Sequence, residues 1–243
     1  MKGVLLAGGK GTRLYPLTAV TNKHLVSIGN LPMIEYPIHT LKQLGVDSIN
    51  VVTGGEHFDA ITRYLGTMHP ELDFSFHYQK EAGGIAQALF LTENFIRDDK
   101  IAVILGDNII EKDIKKPVQD FIKQQKGARI LLKKVEDPER FGVVEFSSES
   151  GKGKKIVSIE EKPKNPKSDY AVTGIYMYDS QVFEIIKRLK PSGRGELEIT
   201  DVNNAYLERG ELEYSMLEGW WTDSGTFESL LNANMLVAKK CHV

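Results

Sequence analysis

Cysteine is nearly absent from this sequence, and so is any long apolar stretch. The single cysteine, Cys241, excludes an internal disulfide and a cysteine-rich zinc site. The longest apolar run, Ile101–Leu105, is far shorter than the roughly twenty residues that a membrane-spanning helix needs. We therefore expect no membrane partner. The chain also begins on a strand-like segment with no signal-peptide layout, so a cytoplasmic location is expected.

Charge of one sign is not in excess either. The sequence has 31 Lys and Arg against 33 Asp and Glu, which leaves a net charge of −2. A general nucleic-acid-binding protein usually carries a basic excess, so nucleic acid is not an expected partner. The six histidines show no H-E-x-x-H spacing, which argues against a zinc hydrolase of that type.

The length and composition are those of an ordinary globular protein. The chain has 243 residues, of which 41% are hydrophobic and 26% are charged. We find no internal repeat and no linker long enough to separate domains, so residues 1–243 are predicted to form one domain with two parts, 1–135 and 136–243.

Apolar runs of strand length alternate with helix-period segments in the first part. Residues 4–7, 48–53, 74–78, 101–105 and 130–135 read as strands, and helical patterns lie between them, including one over 85–95. Beyond residue 140 the strands at 143–146, 156–160 and 171–178 follow one another, with a hairpin connection over 147–155. This order predicts an α/β fold with a Rossmann-like, mostly parallel central sheet flanked by helices and a mixed, β-rich second half.

A glycine-rich loop follows the first strand, in the segment LLAGGKGTRL at residues 5–14. Glycines let the backbone approach a phosphate closely, and their N–H groups can point at an anion. Arg13 adds a planar guanidinium and Lys23 a second cation. A ligand-free tight turn is the plain alternative for the glycines alone. The spacing is not that of a Walker A loop, and Leu14 occupies the third glycine position of the dinucleotide fingerprint, which makes a dehydrogenase a poor match.

Two aspartates come at places suited to a hard cation. Asp107 follows the strand at 101–105, at the end where α/β sheets bind ligands, and Asp223 lies in WWTDSGT ahead of a helical segment. Mg²⁺ usually takes one or two carboxylates together with substrate phosphates. Turn formation at Asp107 and helix capping at Asp223 are the structural alternatives.

Several blocks together resemble the sugar-1-phosphate nucleotidyltransferases. They occur in the family's order over nearly the whole chain: LAGGKGTRLYPLT, PMIEYP, QKEAGGIAQAL, LGDNI, FGVVEF, EEKPKNPKSDYAVTGIY, GRGELEITDVN and WWTDSGT. The resemblance implies an enzyme that joins dTTP to glucose 1-phosphate and releases pyrophosphate, as in polysaccharide precursor synthesis, with Mg²⁺ held by Asp107 and Asp223. A homo-oligomer, dimer or tetramer, is also implied.

The resemblance further implies roles for particular residues. Arg13, Lys23 and Lys162 would be the catalytic cations. The nucleotide would be bound by Leu6, Ala7, Gly8, Gly9, Gly11, Thr12, Arg13, Lys23, Gln79, Gly84 and Asp107. The sugar phosphate would be bound by Asn108, Gly142, Glu161, Lys162, Val172, Tyr176 and Arg194.

Two questions stay open at this stage. The amide of Gln79 can pair with the imide edge of thymine or of uracil, so a UTP-dependent uridylyltransferase is an alternative. A non-catalytic nucleotide-sugar sensor is a second alternative, although it would be expected to lack one of the cations or aspartates. Many family members continue beyond the Asp223 helix into a regulatory extension, so we expect weak or absent feedback inhibition in this shorter form.

Overall fold

The computed structural model describes residues 1–55, 57–147 and 154–240. The strands are β1 (Lys2–Ala7), β2 (Ser27–Ile28), β3 (Leu31–Pro32), β4 (Ser48–Thr53), β5 (Asp73–Tyr78), β6 (Ile101–Leu105), β7 (Asn108–Ile110), β8 (Ala128–Lys134), β9 (Gly142–Phe146), β10 (Ile156–Glu161), β11 (Tyr170–Tyr178), β12 (Leu212–Met216) and β13 (Trp221–Asp223). The helices are α1 (Glu35–Gln43), α2 (Phe58–Met68), α3 (Ile85–Phe90), α4 (Glu93–Ile96), α5 (Lys115–Lys123), α6 (Gln181–Ile186), α7 (Ile199–Glu208) and α8 (Phe227–Lys240).

The central sheet has the strand order β12-β8-β11-β6-β1-β4-β5. Its neighbouring strands are parallel except at β11, which runs antiparallel to both β8 and β6. The antiparallel hairpin of β9 and β10 joins the first half of β11. This confirms the predicted mostly parallel α/β sheet with a mixed second half.

The strands at the centre are buried on both faces, which is why they read as continuous apolar runs. Along β1, Val4 and Leu6 pack into one apolar cluster, while Leu5 and Ala7 pack into a second cluster on the opposite face. Helices cover both faces, and the alternation along the strand is what divides the core into two layers.

The site elements at the carboxyl edge are held by a third, smaller apolar cluster. Leu14, Ile28, Met33 and Ile109 pack there against Leu230 of α8. The loop after β1 is thereby tied to β7 and to the C-terminal helix. Among the described residues, no helix combines the length and the apolar character needed to cross a bilayer.

Some details differ from the sequence predictions. The single helix expected over 85–95 is two helices, α3 and α4, because the Thr92 N–H and hydroxyl both donate to the Leu89 carbonyl and close a tight turn between them. Strands β2, β3, β7, β12 and β13 were not predicted. Residues 148–153 of the expected hairpin connection and Cys241 lie outside the described residues.

Candidate active site

A cleft of about 400 Å³ opens at the carboxyl ends of β1 and β6, where the parallel strands meet the antiparallel β11. Ligand sites in open α/β sheets form at this edge. Most of the predicted site residues line it together: Leu6, Gly8, Gly9, Arg13, Lys23, Gln79, Gly84, Asp107, Asn108, Gly142, Glu161, Lys162, Val172, Tyr176 and Asp223.

The glycine loop forms one wall of the cleft. Gly9 and Gly11 have φ angles of 96° and 63°, a left-handed conformation that side-chain-bearing residues rarely adopt. At Gly8 the constraint is space, since an ideal Cβ atom would lie 2.6 Å from Oε1 of Gln79. The glycines therefore allow both the turn and the close approach of the Gln79 amide to the loop.

Lys23 and Asp107 form an ion pair on the floor of the cleft. The distance from Lys23 Nζ to Asp107 Oδ2 is 2.7 Å, and each side chain is 14% exposed. Burial raises the pKa of Asp107, but the adjacent Lys23 ammonium and the hydrogen bonds from Lys23 and Asn108 together hold that pKa well below its usual range. Asp107 is thus ionised at neutral pH and Lys23 is positioned to face the cleft.

Asp223 reaches the same point through a short strand pairing. β13 pairs antiparallel with β7 and places Asp223 opposite Asn108, while the Ser224 N–H donates to the Asp107 carbonyl at 2.8 Å. Burial and the nearby Asp107 raise the pKa of Asp223 to about 6, against the opposing effect of Arg140 and Arg13. The nearest cation is the Arg140 guanidinium, whose Nη2 lies 3.2 Å from Asp223 Oδ1.

The two carboxylates fit a divalent cation that also binds substrate phosphates. The ionised Asp107 raises the cost of ionising Asp223, and a bound cation would remove that repulsion. Among the described residues, no group of three or more His, Cys, Asp or Glu side chains could hold a metal by itself. A pair of carboxylates completed by phosphate oxygens and water is the donor set typical of Mg²⁺.

Arg13 lies close to both aspartates because Gly225 leaves room for it. An ideal Cβ at Gly225 would lie 2.9 Å from Arg13 Nη2 and 3.6 Å from Asp107 Oδ2. A side chain at this position would push the guanidinium away from the carboxylates. The site therefore combines the glycine loop after β1 with a further glycine on the facing segment.

Residues from the second half of the chain line the opposite wall. Glu161, at the end of β10, accepts a hydrogen bond from the Thr200 hydroxyl at 2.7 Å. Lys162 follows it with a φ angle of 46°, and its N–H donates to the Phe141 carbonyl at 2.9 Å. A lysine in this left-handed conformation costs about 1–2 kcal/mol, and such strain is concentrated at functional sites. The backbone turn sends the Lys162 side chain into the cleft.

Four predicted residues are not among the side chains that line the cleft. Ala7 is fully buried in the core, and the exposed Thr12 and the partly exposed Gly11 lie in the loop outside the lining. Arg194 is held at the rim, where its Nη2 lies 2.9 Å from Glu198 Oε2 and 3.4 Å from Glu161 Oε1. Its assigned contact with the sugar phosphate stays a prediction.

The structure adds lining residues that the sequence reasoning missed. Arg140 contacts Asp223, and Trp221 Nε1 donates to Asn108 Oδ1 at 2.7 Å. Thr200 contacts Glu161 from α7. Arg140 stands directly before the FGVVEF block, so a cation at the edge of a recognised motif was the available signal.

Similarity to known proteins extends over nearly the whole chain. A family model described as nucleotidyl transferase matches residues 2–240. The chain is 44% identical over 241 residues to a glucose-1-phosphate thymidylyltransferase of Neisseria meningitidis, covering 98% of this chain and 82% of that protein. It is 41% identical over 240 residues to an enzyme of the same name from Mycolicibacterium smegmatis, with the same two coverages.

A solved structure gives the same result at the level of the fold. A crystal structure from Bacillus anthracis, described as a glucose-1-phosphate thymidylyltransferase with a bound sucrose, has a TM-score of 0.91 and 54% sequence identity. The match covers 97% of this chain and 94% of that one. With a family model spanning nearly its full length and relatives above 40% identity, this chain belongs to the nucleotidyl transferase family.

Proposed function

We propose that this enzyme transfers a nucleotidyl group from dTTP to glucose 1-phosphate, giving dTDP-glucose and pyrophosphate. The observation that carries the proposal is the meeting of three cations, Arg13, Lys23 and Lys162, with Asp107 and Asp223 in one cleft. The names of the relatives from Neisseria meningitidis and Mycolicibacterium smegmatis support the choice of both substrates.

The reaction needs positioning and charge more than it needs a general base. A phosphate monoester has its second pKa near 6, so the sugar phosphate is already largely dianionic at pH 7. One of its oxygens attacks the α-phosphorus of the nucleotide in line, and the bond from that phosphorus to the pyrophosphate breaks. Two polyanions repel each other, so fixed cations lower the barrier by holding them in contact.

Residues at the two ends of the cleft bind different substrates. Arg13 and Lys23, beside the glycine loop, hold the triphosphate and the departing pyrophosphate. Lys162, from the facing wall, holds the sugar phosphate. The Asp107 carboxylate holds Lys23 in position before substrate binds, because the two side chains are 2.7 Å apart. We assign residues 1–135 to the nucleotide side and residues 136–243 to the sugar-phosphate side, with Asp223 contributing to the metal site between them.

Asp107 and Asp223 are the residues that would hold Mg²⁺. When bound, the ion supplies positive charge to the phosphate oxygens of the nucleotide. The two carboxylates are suited to this because both line the cleft and Asp107 disfavours the ionisation of Asp223.

Recognition of the base and sugar follows from the remaining lining groups. Gln79 faces the base with an amide, and Gly84 offers its backbone beside it. Glu161 can accept hydrogen bonds from sugar hydroxyls, while Val172 offers its backbone. Uracil presents the same imide edge as thymine, so UTP is the alternative nucleotide. A homo-oligomer and a cytoplasmic location stay predictions.

Pyrophosphate release across a panel of nucleotides and sugar 1-phosphates tests the proposal. With magnesium present, dTTP and glucose 1-phosphate should give the highest kcat/KM, and EDTA should abolish turnover. Faster turnover with UTP would move the assignment to a uridylyltransferase. Absence of pyrophosphate with every pair, despite measurable nucleotide binding, would favour the sensor alternative and overturn the proposal.

A further inference from the structure

The amide of Gln79 is held by a neighbour that does not itself line the cleft. Gln79 Nε2 donates to Oε1 of Gln87, on α3, at 2.6 Å. The same nitrogen lies 3.5 Å from the Gly84 carbonyl oxygen. Both contacts are to oxygen acceptors. The Gly84 carbonyl can only accept, so it favours the orientation in which the Gln79 nitrogen faces it, and Gln87 presents its amide oxygen to the same nitrogen.

The oxygen of the Gln79 amide is left for the ligand. Within the part of the chain that the structure describes, no hydrogen-bond donor reaches Gln79 Oε1. This oxygen lies over the glycine loop, since an ideal Cβ at Gly8 would be 2.6 Å from it. Gln79 and Gly8 both line the cleft. The cleft therefore presents an acceptor at the place where the base is read.

The loop that precedes α3 leaves the space in which the Gln87 amide lies. An ideal Cβ at Gly83 would lie 2.8 Å from Gln87 Cδ and 3.1 Å from its Oε1, so glycine is needed beside this amide. The Gly83 carbonyl accepts a hydrogen bond from the Leu197 N–H at 2.8 Å, which anchors the loop to the other half of the chain. The anchored loop therefore keeps room for Gln87 next to Gln79.

We propose that Gln87 is a positioning residue that sets nucleotide selectivity by fixing the orientation of the Gln79 amide. The inference rests on the proposed function, in which Gln79 reads the base. An amide oxygen held toward the base accepts from the N3–H of thymine or uracil. Cytosine has a lone pair on N3, and the two acceptors repel. Without this partner, the Gln79 amide could rotate and donate to the N3 lone pair of cytosine. The hydrogen bond to Gln87 opposes that rotation.

The test compares kcat/KM for dTTP and dCTP, by pyrophosphate release, in the wild type and in two variants of similar size. Gln87→Glu keeps an oxygen acceptor facing Gln79 Nε2 and should retain the dTTP preference within about threefold. Gln87→Met removes the acceptor. The ratio of kcat/KM for dTTP to kcat/KM for dCTP should then fall by about tenfold or more, which corresponds to the loss of about one hydrogen bond. If Gln87 served only in packing, Gln87→Met would lower kcat/KM for dTTP and for dCTP by the same factor.

Three results separate the possible failures. An unchanged ratio in Gln87→Met, with a lowered ratio in Gln79→Ala, would overturn the role of Gln87 and leave base reading by Gln79 intact. An unchanged ratio in both variants would overturn base reading as well. If Gln87→Met does not fold, Gln87→Asn is the second variant, because its side chain is one methylene shorter and its oxygen lies farther from Gln79 Nε2. The same loss of selectivity is expected in Gln87→Asn. Retention of the wild-type ratio in that variant would contradict the proposal.

Discussion

His24 lies beneath the Lys23–Asp107 pair and should make the protein sensitive to mild acid. It is 1% exposed, and its Nδ1 lies 2.8 Å from Asn22 Oδ1, which also accepts the His24 backbone N–H at 3.0 Å. Because that oxygen can only accept, Nδ1 carries the hydrogen of the neutral ring. Burial, and then the neighbouring Lys23, lower the pKa of His24 to about 3.

The sign of the effect follows from this lowered pKa. The unfolded chain binds a proton at His24 near the ordinary value of 6.5, whereas the folded chain does so near 3. The contribution of His24 to the free energy of unfolding is therefore fully present above pH 6.5 and is lost as the pH decreases toward 3. Between pH 7 and pH 5 this one group should remove about 2 kcal/mol from the free energy of unfolding, and the limiting loss, reached below pH 3, is about 5 kcal/mol.

Urea unfolding at pH 7 and pH 5, with EDTA present, measures this loss. His24→Gln cannot titrate, so its free energy of unfolding should fall by about 2 kcal/mol less than that of the wild type over the same interval. His39→Gln, which removes an exposed histidine, is the matched control and should behave as the wild type does. An equal fall in the wild type and His24→Gln would refute the argument that His24 stays neutral in the folded protein.

Three further predictions concern the cleft. Asp223→Asn should lower turnover by about a hundredfold or more without unfolding the chain, because it removes a carboxylate from the metal site; near-normal steady-state turnover would exclude that role. Burial and Asp107 raise the pKa of Asp223 to about 6 and Arg140 opposes them, so Arg140→Met should raise that pKa further, and the measurement is the magnesium concentration that gives half-maximal activity at a series of pH values. As the pH is lowered, the magnesium requirement should begin to rise at a higher pH in Arg140→Met than in the wild type. Identical pH profiles would contradict the electrostatic effect of Arg140 on Asp223. Gly84→Ala should cost about 1–3 kcal/mol of stability and raise KM for the nucleotide, because φ is 99° and the added Cβ would lie 2.4 Å from the Leu197 carbonyl oxygen. Its control in thermal unfolding is Gly66→Ala, an open helical position where alanine should stabilise; similar melting shifts in both variants would disprove the steric reasoning.

Much of the fold could be predicted because its central strands are buried on both faces. β4 was predicted with its observed bounds, and β6 likewise, since an apolar run between polar residues marks such a strand. β12 escaped prediction because it is partly exposed at every position, and its alternation is weak. The pairing of β7 with β13 is only three residues long and joins segments that are distant in the sequence, so no local sequence pattern predicts it.

The candidate site was predictable only as a set of separate blocks. The resemblance marked Lys23, Asp107 and Asp223, and the structure brings them into one cleft. It assigned no role to Arg140, which stands beside a block, or to Gln87, which lies within one, because neither side chain has a distinctive local signal. Their contacts with Asp223 and Gln79 exist only once the loops are folded against one another.

By itself, the sequence determined the α/β class, the positions of the central strands, the glycine loop and the chemical types available for binding phosphates. Those properties are local, since they depend on apolar periodicity, backbone freedom and side-chain chemistry. Only the tertiary structure decided which charges meet, how far each is buried and which way the Gln79 amide points. Distances between residues such as Lys23 and Asp107, 84 positions apart, arise from strand order and loop packing, and the shifts in pKa and the fixed amide orientation depend on those distances.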